Sequence, residues 1–504
     1  MNIPHRGRIA VGLATVGAVG LAFVLVPGLS GSVGAEPGSP AAHAANAPGF
    51  TVHLNSAPVA SGSGTGSRPG GSAVGGSVGN GAGANSATAT INYLGHAFTV
   101  PASWRIVDLA KNPADCVRFD TNAVYLGTPG TQQDCPATGV GQSTEAMLIQ
   151  PSAAGAASSV VDTTSRQIST VAQGVQVTAT YGTHESQVAG VIAAAGLPKP
   201  VVSALAAPAA GSSPGARQSP TPTPTITPFP AAVPGVGSMT RSFIGLGFDA
   251  CTAPSTATMT DWTASPYKAV GVYIGGADRI CAQPDLTSDW VSAETSAGWH
   301  LLPIYAGPQV IVAGDITSPA VQGIAAADDA VTQAKSLGIG TGAVLYYDME
   351  VGTSSYTAAQ IATCTAFLGA WTTELHALGY YSGVYGNEGG SVGAQVAGWG
   401  TVVEPDVLDV GNWNSLSNDD PGADPGSDWT GRRVHQFVGD VNQTYGGVTI
   451  QVDEDYLNLA NVTCPDAPGS GTASPSAPAS ASAGPSGAGA VRSDALLCNG
   501  FPVS

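Results

Sequence analysis

The sequence predicts an α/β protein whose larger part is a (β/α)8 TIM-like barrel, preceded by a small α+β domain and long disordered linkers. Three observations carry this. Eight short β-prone runs recur over about 225 residues, close to the ~250 of a typical (β/α)8 barrel. Helix-like segments lie between several of them, and alternating strand and helix implies a parallel sheet. Stretches rich in Gly, Pro, Ser, Ala and Thr set this region apart from what precedes and follows it.

Residues 1–35 read as a secretory signal. His5, Arg6 and Arg8 precede an apolar run from Ile9 to Val26, and small residues then allow cleavage near Ala35 or Ala45. The run, about 18 residues, approaches the length of a membrane span. Glycines and Pro27 dilute it, so cleavage, and no stable span afterwards, is the expectation. Residues 36–86 are a Gly/Ser/Ala-rich spacer without periodicity. Residues 87–200 form the small α+β domain. Its expected strands are Thr88–Tyr93, His96–Val100, Val117–Phe119, Ala123–Leu126 and Val175–Tyr181, and its expected helix is Glu185–Ala195, ending before Gly196 and Pro198. Residues 201–237, with alternating Pro and Thr from Pro220, are an extended, semi-rigid linker. Residues 238–464 are the barrel, and 465–504 a low-complexity tail whose last residues could fold back.

The eight runs of the barrel are Ser242–Phe248, Ala269–Ile274, His300–Tyr305, Ala343–Tyr347, Tyr380–Tyr385, Val407–Asn412, Val434–Val438 and Val448–Val452. Helices are expected at Ser288–Ala297, Pro319–Leu337 and Thr357–Leu378. The last carries Ile361, Cys364, Leu368, Trp371 and Leu375 on one face. In such a barrel the chemistry sits where strands end and βα loops begin. Polar residues gather there: Asp249 after the first run, Asp348 and Glu350 after the fourth, Asn412 and Trp413 after the sixth, Gln436 in the seventh, and Asp453 and Asp455 after the eighth. Tyr273, Tyr305, Tyr346 and Tyr385 lie near strand ends, where aromatic rings can stack on sugars. Strand alternation puts Tyr346, Asp348 and Glu350 on one face and Tyr347 and Met349 on the other. A carboxylate pair so placed suits glycoside hydrolysis, which needs a proton donor and a nucleophile or charge stabiliser. Glu350 is assigned as the acid and Asp348 as the stabiliser, with the remaining acids, amides and aromatics binding substrate.

The formal net charge is −18, and there is no Lys/Arg cluster. Nucleic acid is therefore excluded as a partner, and anionic surfaces are disfavoured. A polysaccharide such as peptidoglycan is compatible, with the protein a monomer. The barrel histidines His300, His376 and His435 show no zinc spacing, so neither metal nor cofactor is expected. Seven cysteines in an exported chain imply disulfides and one leftover thiol. The expected pairs are Cys116–Cys135, Cys251–Cys281 and Cys464–Cys498, with Cys364 free and buried.

Five motifs carry a resemblance: Gly247-Phe-Asp-Ala-Cys-Thr-Ala-Pro-Ser255, Val270-Gly-Val-Tyr-Ile-Gly-Gly276, Tyr346-Tyr-Asp-Met-Glu350, Tyr381-Ser-Gly-Val-Tyr385 and Tyr445-Gly-Gly-Val-Thr-Ile450. Together they resemble a family of exported actinobacterial proteins described as glycoside-hydrolase-like. That barrel is similar in turn to family 25 lysozymes, which carry an Asp on the first strand, Asp-x-Glu on the fourth and an Asp on the last. The matching positions are Asp249, Asp348, Glu350 and Asp453. The resemblance implies a muramidase-like barrel. The expectation is a secreted protein, associated with the cell wall, that acts on or binds an N-acetylated glycan.

Overall fold

The computed structural model describes residues 49–55, 87–153, 157–202, 243–350, 355–422 and 429–462. The expected signal peptide, most of both linkers, the tail and the Cys464–Cys498 pair lie outside them.

The small domain has two sheets. The first, in order β1–β2–β3, is antiparallel: β1 (Thr51–Asn55), β2 (Thr88–Tyr93) and β3 (His96–Pro101). β1 comes from the segment expected to be spacer only. Its five side chains are all exposed, so alternation gives no buried face for a sequence pattern to detect. The second sheet is formed by β4 (Arg105–Asp108), β5 (Ala123–Leu126), β6 (Glu145–Pro151), β7 (Ser158–Asp162), β8 (Gln167–Ala172), β9 (Val175–Tyr181) and, after helix α1 (Glu185–Ala194), β10 (Val201–Val202). Its order is β10–β7–β8–β9–β6–β5–β4. One face packs against α1 and the first sheet through Met147, Ile149, Val175, Val177, Ile192 and Phe98. The expected strand Val117–Phe119 does not join it. Those residues pair instead with the barrel: Phe119 N donates to Ile280 O at 2.7 Å, and Ala282 N to Val117 O at 3.0 Å.

The second part is a closed eight-stranded barrel. Its strands are β11 (Ile244–Asp249), β12 (Ala269–Gly275), β13 (His300–Tyr305), β14 (Val344–Asp348), β15 (Tyr381–Gly386), β16 (Val407–Gly411), β17 (Arg433–Tyr445) and β18 (Val448–Asn458), hydrogen-bonded in that order and closing from β18 to β11. Among the described residues five helices are interleaved: α2 (Thr256–Trp262), α3 (Ser288–Ser296), α4 (Pro319–Ser336), α5 (Ala358–Ala377) and α6 (Ser391–Gly398). Side-chain caps start several of them. Ser255 accepts from Thr258 N at α2, Thr287 from Trp290 N at α3, and Thr357 with Gln360 forms a capping box at α5.

The barrel departs from (β/α)8. No described helix joins β16 to β17, and β18 runs antiparallel to both neighbours. The cause is local. Gly446 and Gly447 adopt φ of 60° and 87°, the left-handed pair a tight hairpin requires, so the chain turns straight back without a crossover helix. The outer layer, between strands and helices, is packed by Phe248, Trp262, Trp290, Tyr347, Phe367 and Trp371. The interior is filled by Leu302, Ile304, Val344, Tyr346, Val434 and Leu457.

The small domain sits on the barrel. The loop after β12 threads between its segments: Ile280 N donates to Gly139 O at 3.0 Å, Gly141 N to Asp278 O at 2.8 Å and Ser143 Oγ to Ala277 O at 2.6 Å. Ser165 Oγ donates to Asp329 Oδ2 at 2.6 Å, and Arg166 forms an ion pair with Asp315 at 2.8 Å. The disulfides Cys116–Cys135 and Cys251–Cys281 lie side by side here, with Cys116 Sγ 3.8 Å from Cys281 Sγ. Cys364 is free and buried.

Candidate functional site

Asp249, Asp348, Glu350, Asp409 and Asp453 meet at one end of the barrel. With Tyr273, Ile304, Tyr385, Trp413, Gln436 and Thr138 they line a cavity of about 110 Å³. Parity explains the convergence. Tyr346 and Asp348 take the interior face of β14, while Leu345 and Tyr347 take the helix-facing side. The reversed strand explains Asp453. Because β18 runs antiparallel, its early residues are the ones at the mouth, where Asp453 pairs with Asp249. Asp455, opposite Gly247, is a pleat deeper.

A hydrogen-bonded lattice holds the acids. Gln436 Nε2 donates to Asp249 Oδ2 at 3.0 Å and to Asp453 Oδ2 at 3.3 Å. Its Oε1 accepts from Tyr385 Oη at 2.8 Å and from Trp413 Nε1 at 2.9 Å. Tyr273 Oη donates to Asp348 Oδ2 at 3.1 Å. A bulge in β17 presents the Asp440 amide to Asp453 Oδ1 at 2.7 Å. Gln309, buried after β13, fixes the backbone of the pair: its Nε2 donates to Asp348 O at 2.8 Å, and its Oε1 accepts from Glu350 N at 2.8 Å. Tyr356 Oη donates to Glu350 O at 2.6 Å. Asp348 Oδ1 and Asp409 Oδ1 are buried without a hydrogen-bond partner.

Burial raises every acid of the cluster, because a charged carboxylate loses its hydration there. Asp249 is held well above the usual carboxylate range by burial and then by the Asp453 charge, against the Gln436 hydrogen bond. Asp348 is raised by burial and then by Glu350, against the Tyr273 hydrogen bond. Burial lifts Glu350, pushes Asp409 up to about 8 and Asp453 up to about 7. Like charges this close cannot all ionise, so the cluster holds protons at neutral pH.

The structure brings Asp249, Asp348, Glu350, Asp453, Tyr273, Tyr385, Trp413 and Gln436 together, and leaves four other expected site residues out. Tyr305 points to the helix layer and donates to Asp329 Oδ2 at 2.7 Å. Tyr346 and Asp455 are sealed in the barrel below the cavity. Asn412 gives its amide to Pro421 O at 2.5 Å.

Three participants went unrecognised. Asp409 is an acid inside the apolar run Val-Leu-Asp-Val, and a buried carboxylate in a strand was the available signal. Gln309 had no sequence signal. Thr138 comes from the small domain, where Gly139 lies flat on the Tyr273 ring. A Cβ there would sit 2.2 Å from a ring carbon, so only glycine permits this approach.

Residues 260–457 match the Rv2525c-like, glycoside hydrolase-like domain. The match begins within α2 and runs to the last strand of the barrel, and it supports that family for the barrel. No curated protein matches the chain. Among solved structures, the chain is similar to an uncharacterized B. stearothermophilus protein, at 22% identity and TM-score 0.33, over 43% of this chain and 98% of that one. It is also similar to the Mycobacterium tuberculosis Tat-secreted protein Rv2525c, solved with L-tartrate, at 17% identity and TM-score 0.31, over 43% of this chain and 96% of that one. The second strand of the barrel ends at Gly275 and contributes Tyr273 to the mouth.

Proposed function

We propose that the chain is an exported glycoside hydrolase acting on cell-wall peptidoglycan or a related N-acetylated glycan. The observation that carries the reading is the Asp348–Glu350 pair, buried with raised pKa values at the mouth of a glycoside-hydrolase-like barrel. Glu350, the less buried of the two, is the proton donor to the glycosidic oxygen. Asp348, held by the Tyr273 hydroxyl, faces the sugar as charge stabiliser or orients an N-acetyl group. Burial holds the proton on Glu350, while the Tyr273 hydrogen bond favours the Asp348 anion against burial and the charges of Glu350 and Asp249, and Asp453 acts on Asp249. Trp413, 55% exposed at the rim, offers a ring for stacking. Export is supported by the two disulfides, which need an oxidising compartment.

A second reading is a non-catalytic glycan-binding protein on the same scaffold. The small cavity favours it: about 110 Å³ is below the ~300–1,000 Å³ of most ligand pockets. A glycan array run together with turnover of labelled peptidoglycan separates the two. Binding with release of soluble fragments supports the hydrolase. Binding alone supports the second reading, and neither result would sink both.

A further inference from the structure

A second cavity, about 440 Å³, opens at the junction of the small domain and the barrel. Its volume falls within the ~300–1,000 Å³ of small-molecule sites. It is distinct from the acid mouth, because β12 divides them: Tyr273 faces the mouth, and the next residue, Ile274, lines the junction cavity.

One wall is the outer face of the small domain's larger sheet. Alternation sends Val175, Val177, Met147 and Ile149 into the core and leaves Gln150, Ser169, Gln176 and Thr178 facing the barrel. These are cross-strand neighbours, with Gln150 opposite Gln176 and Ser169 opposite Thr178. Among the described residues, the side chains of Gln150, Gln176 and Thr178 make no hydrogen bond within the protein. The surface is a ladder of free amides and a hydroxyl, the lining that hydroxyl-rich ligands take.

The other wall carries Arg279. Its Nη1 donates to Tyr273 O at 3.3 Å and its Nη2 to Gln167 Oε1 at 3.1 Å. Its Nε is sealed from solvent with no partner. The nearby carboxylates are engaged elsewhere. Asp329 accepts from Ser165, Tyr305 and Gln333, and Asp162 accepts from Gln333 and from the Thr164 and Ser165 amides. Among the described residues Arg279 has no ion-pair partner. A guanidinium has five N–H donors in a planar fork suited to a carboxylate; burial disfavours the Arg279 charge, and Asp329 and Asp162 favour it only at a distance, without an ion-pair contact. A cation left so, beside free amides and hydroxyls, matches a ligand with one carboxylate and several hydroxyls.

We propose that the junction cavity binds a sugar acid, a single polyhydroxylated ring whose carboxylate pairs with Arg279 and whose hydroxyls meet the Gln150–Gln176–Thr178 face. The site does not depend on the reading of the acid mouth.

Calorimetry on the full chain tests it with D-glucuronate and N-acetylmuramic acid against their uncharged counterparts D-glucose and N-acetylglucosamine. At least one acid should bind about tenfold or more tighter than its counterpart, the contribution expected of a charge-assisted pair. Arg279→Gln should erase that preference. Gln176→Leu, on the opposite wall and away from the core, should weaken binding several-fold with an unchanged melting temperature, and it decides the matter if Arg279→Gln fails to fold. Asp348→Asn should leave the binding intact. No preference for either acid overturns the proposal. So does binding that survives Arg279→Gln or Gln176→Leu but is lost in Asp348→Asn, which would place the ligand in the mouth.

Discussion

The two sides of β12 meet opposite chemistry. On the Tyr273 side lie five carboxylates, buried, mutually repelling and bound together by Gln436, Tyr385 and Tyr273. On the Ile274 side lie amides, hydroxyls and one unpaired guanidinium. Adjacent residues of a strand point to opposite faces, so one strand can wall both. The difference teaches a division of labour. The barrel concentrates charge that burial keeps protonated, whereas the small domain brings neutral surface: Thr138 and Gly139 to the mouth, the glutamine ladder to the junction.

The largest expected effect is on the acid side. Asp348→Asn should lower glycan turnover by a factor on the order of 10², because the stabilising charge is lost, with little change in melting temperature, because an amide of the same shape can still accept from Tyr273 Oη. Unchanged turnover would break the comparison, because the acids would then be structural only. Next is the seam between the walls. Gly139→Val places a side chain into the Tyr273 ring and should cost about 1–3 kcal/mol of stability, read by denaturant unfolding. A neutral result would mean the small domain does not press on the mouth.

A smaller effect is pH dependence. Asp409 and Asp453 titrate near 8 and 7 when folded, against a usual value of about 4 for an unfolded Asp. Between these values the folded chain holds more protons, so their contribution is complete below about pH 4 and is lost as pH rises through 7 and 8. The melting temperature should therefore fall between about pH 4 and about pH 8 and level off above that, and Asp409→Asn should flatten the slope. A flat profile in the wild type would contradict the buried-acid account. The smallest effect concerns the junction. Gentle proteolysis should cut the Pro/Thr linker first, since exposed segments are nicked first. The two fragments should nevertheless co-elute, held by the backbone pairing of residues 277–282.

Much of the barrel was legible in the sequence, because buried strands are written as apolar runs. All eight runs fall on the eight strands, and Asp348 and Glu350 stand where Val-Leu-Tyr-Tyr ends. The direction of the last strand was harder to read. An apolar run has no polarity, and only the Gly446-Gly447 turn betrays the reversal. That reversal is why Asp455, expected at the strand end, lies deep in the barrel. Tyr305 and Tyr346 were misplaced because a tyrosine's sequence context does not say whether its hydroxyl meets an acid, a carbonyl or nothing. Thr138 could not be found at all. It reaches the mouth only through docking of a separate domain, and long-range pairing leaves no local pattern.

The central claim is that Glu350, made a proton donor by burial, does the chemistry of the mouth. Its most direct test is release of soluble fragments from labelled peptidoglycan near neutral pH by the wild type and by Glu350→Gln, with glycan affinity and melting temperature measured on both. The account predicts turnover lower by about 10² or more in the variant, with affinity and melting temperature nearly unchanged. A substrate cleaved by Glu350→Gln at the wild-type rate would contradict it.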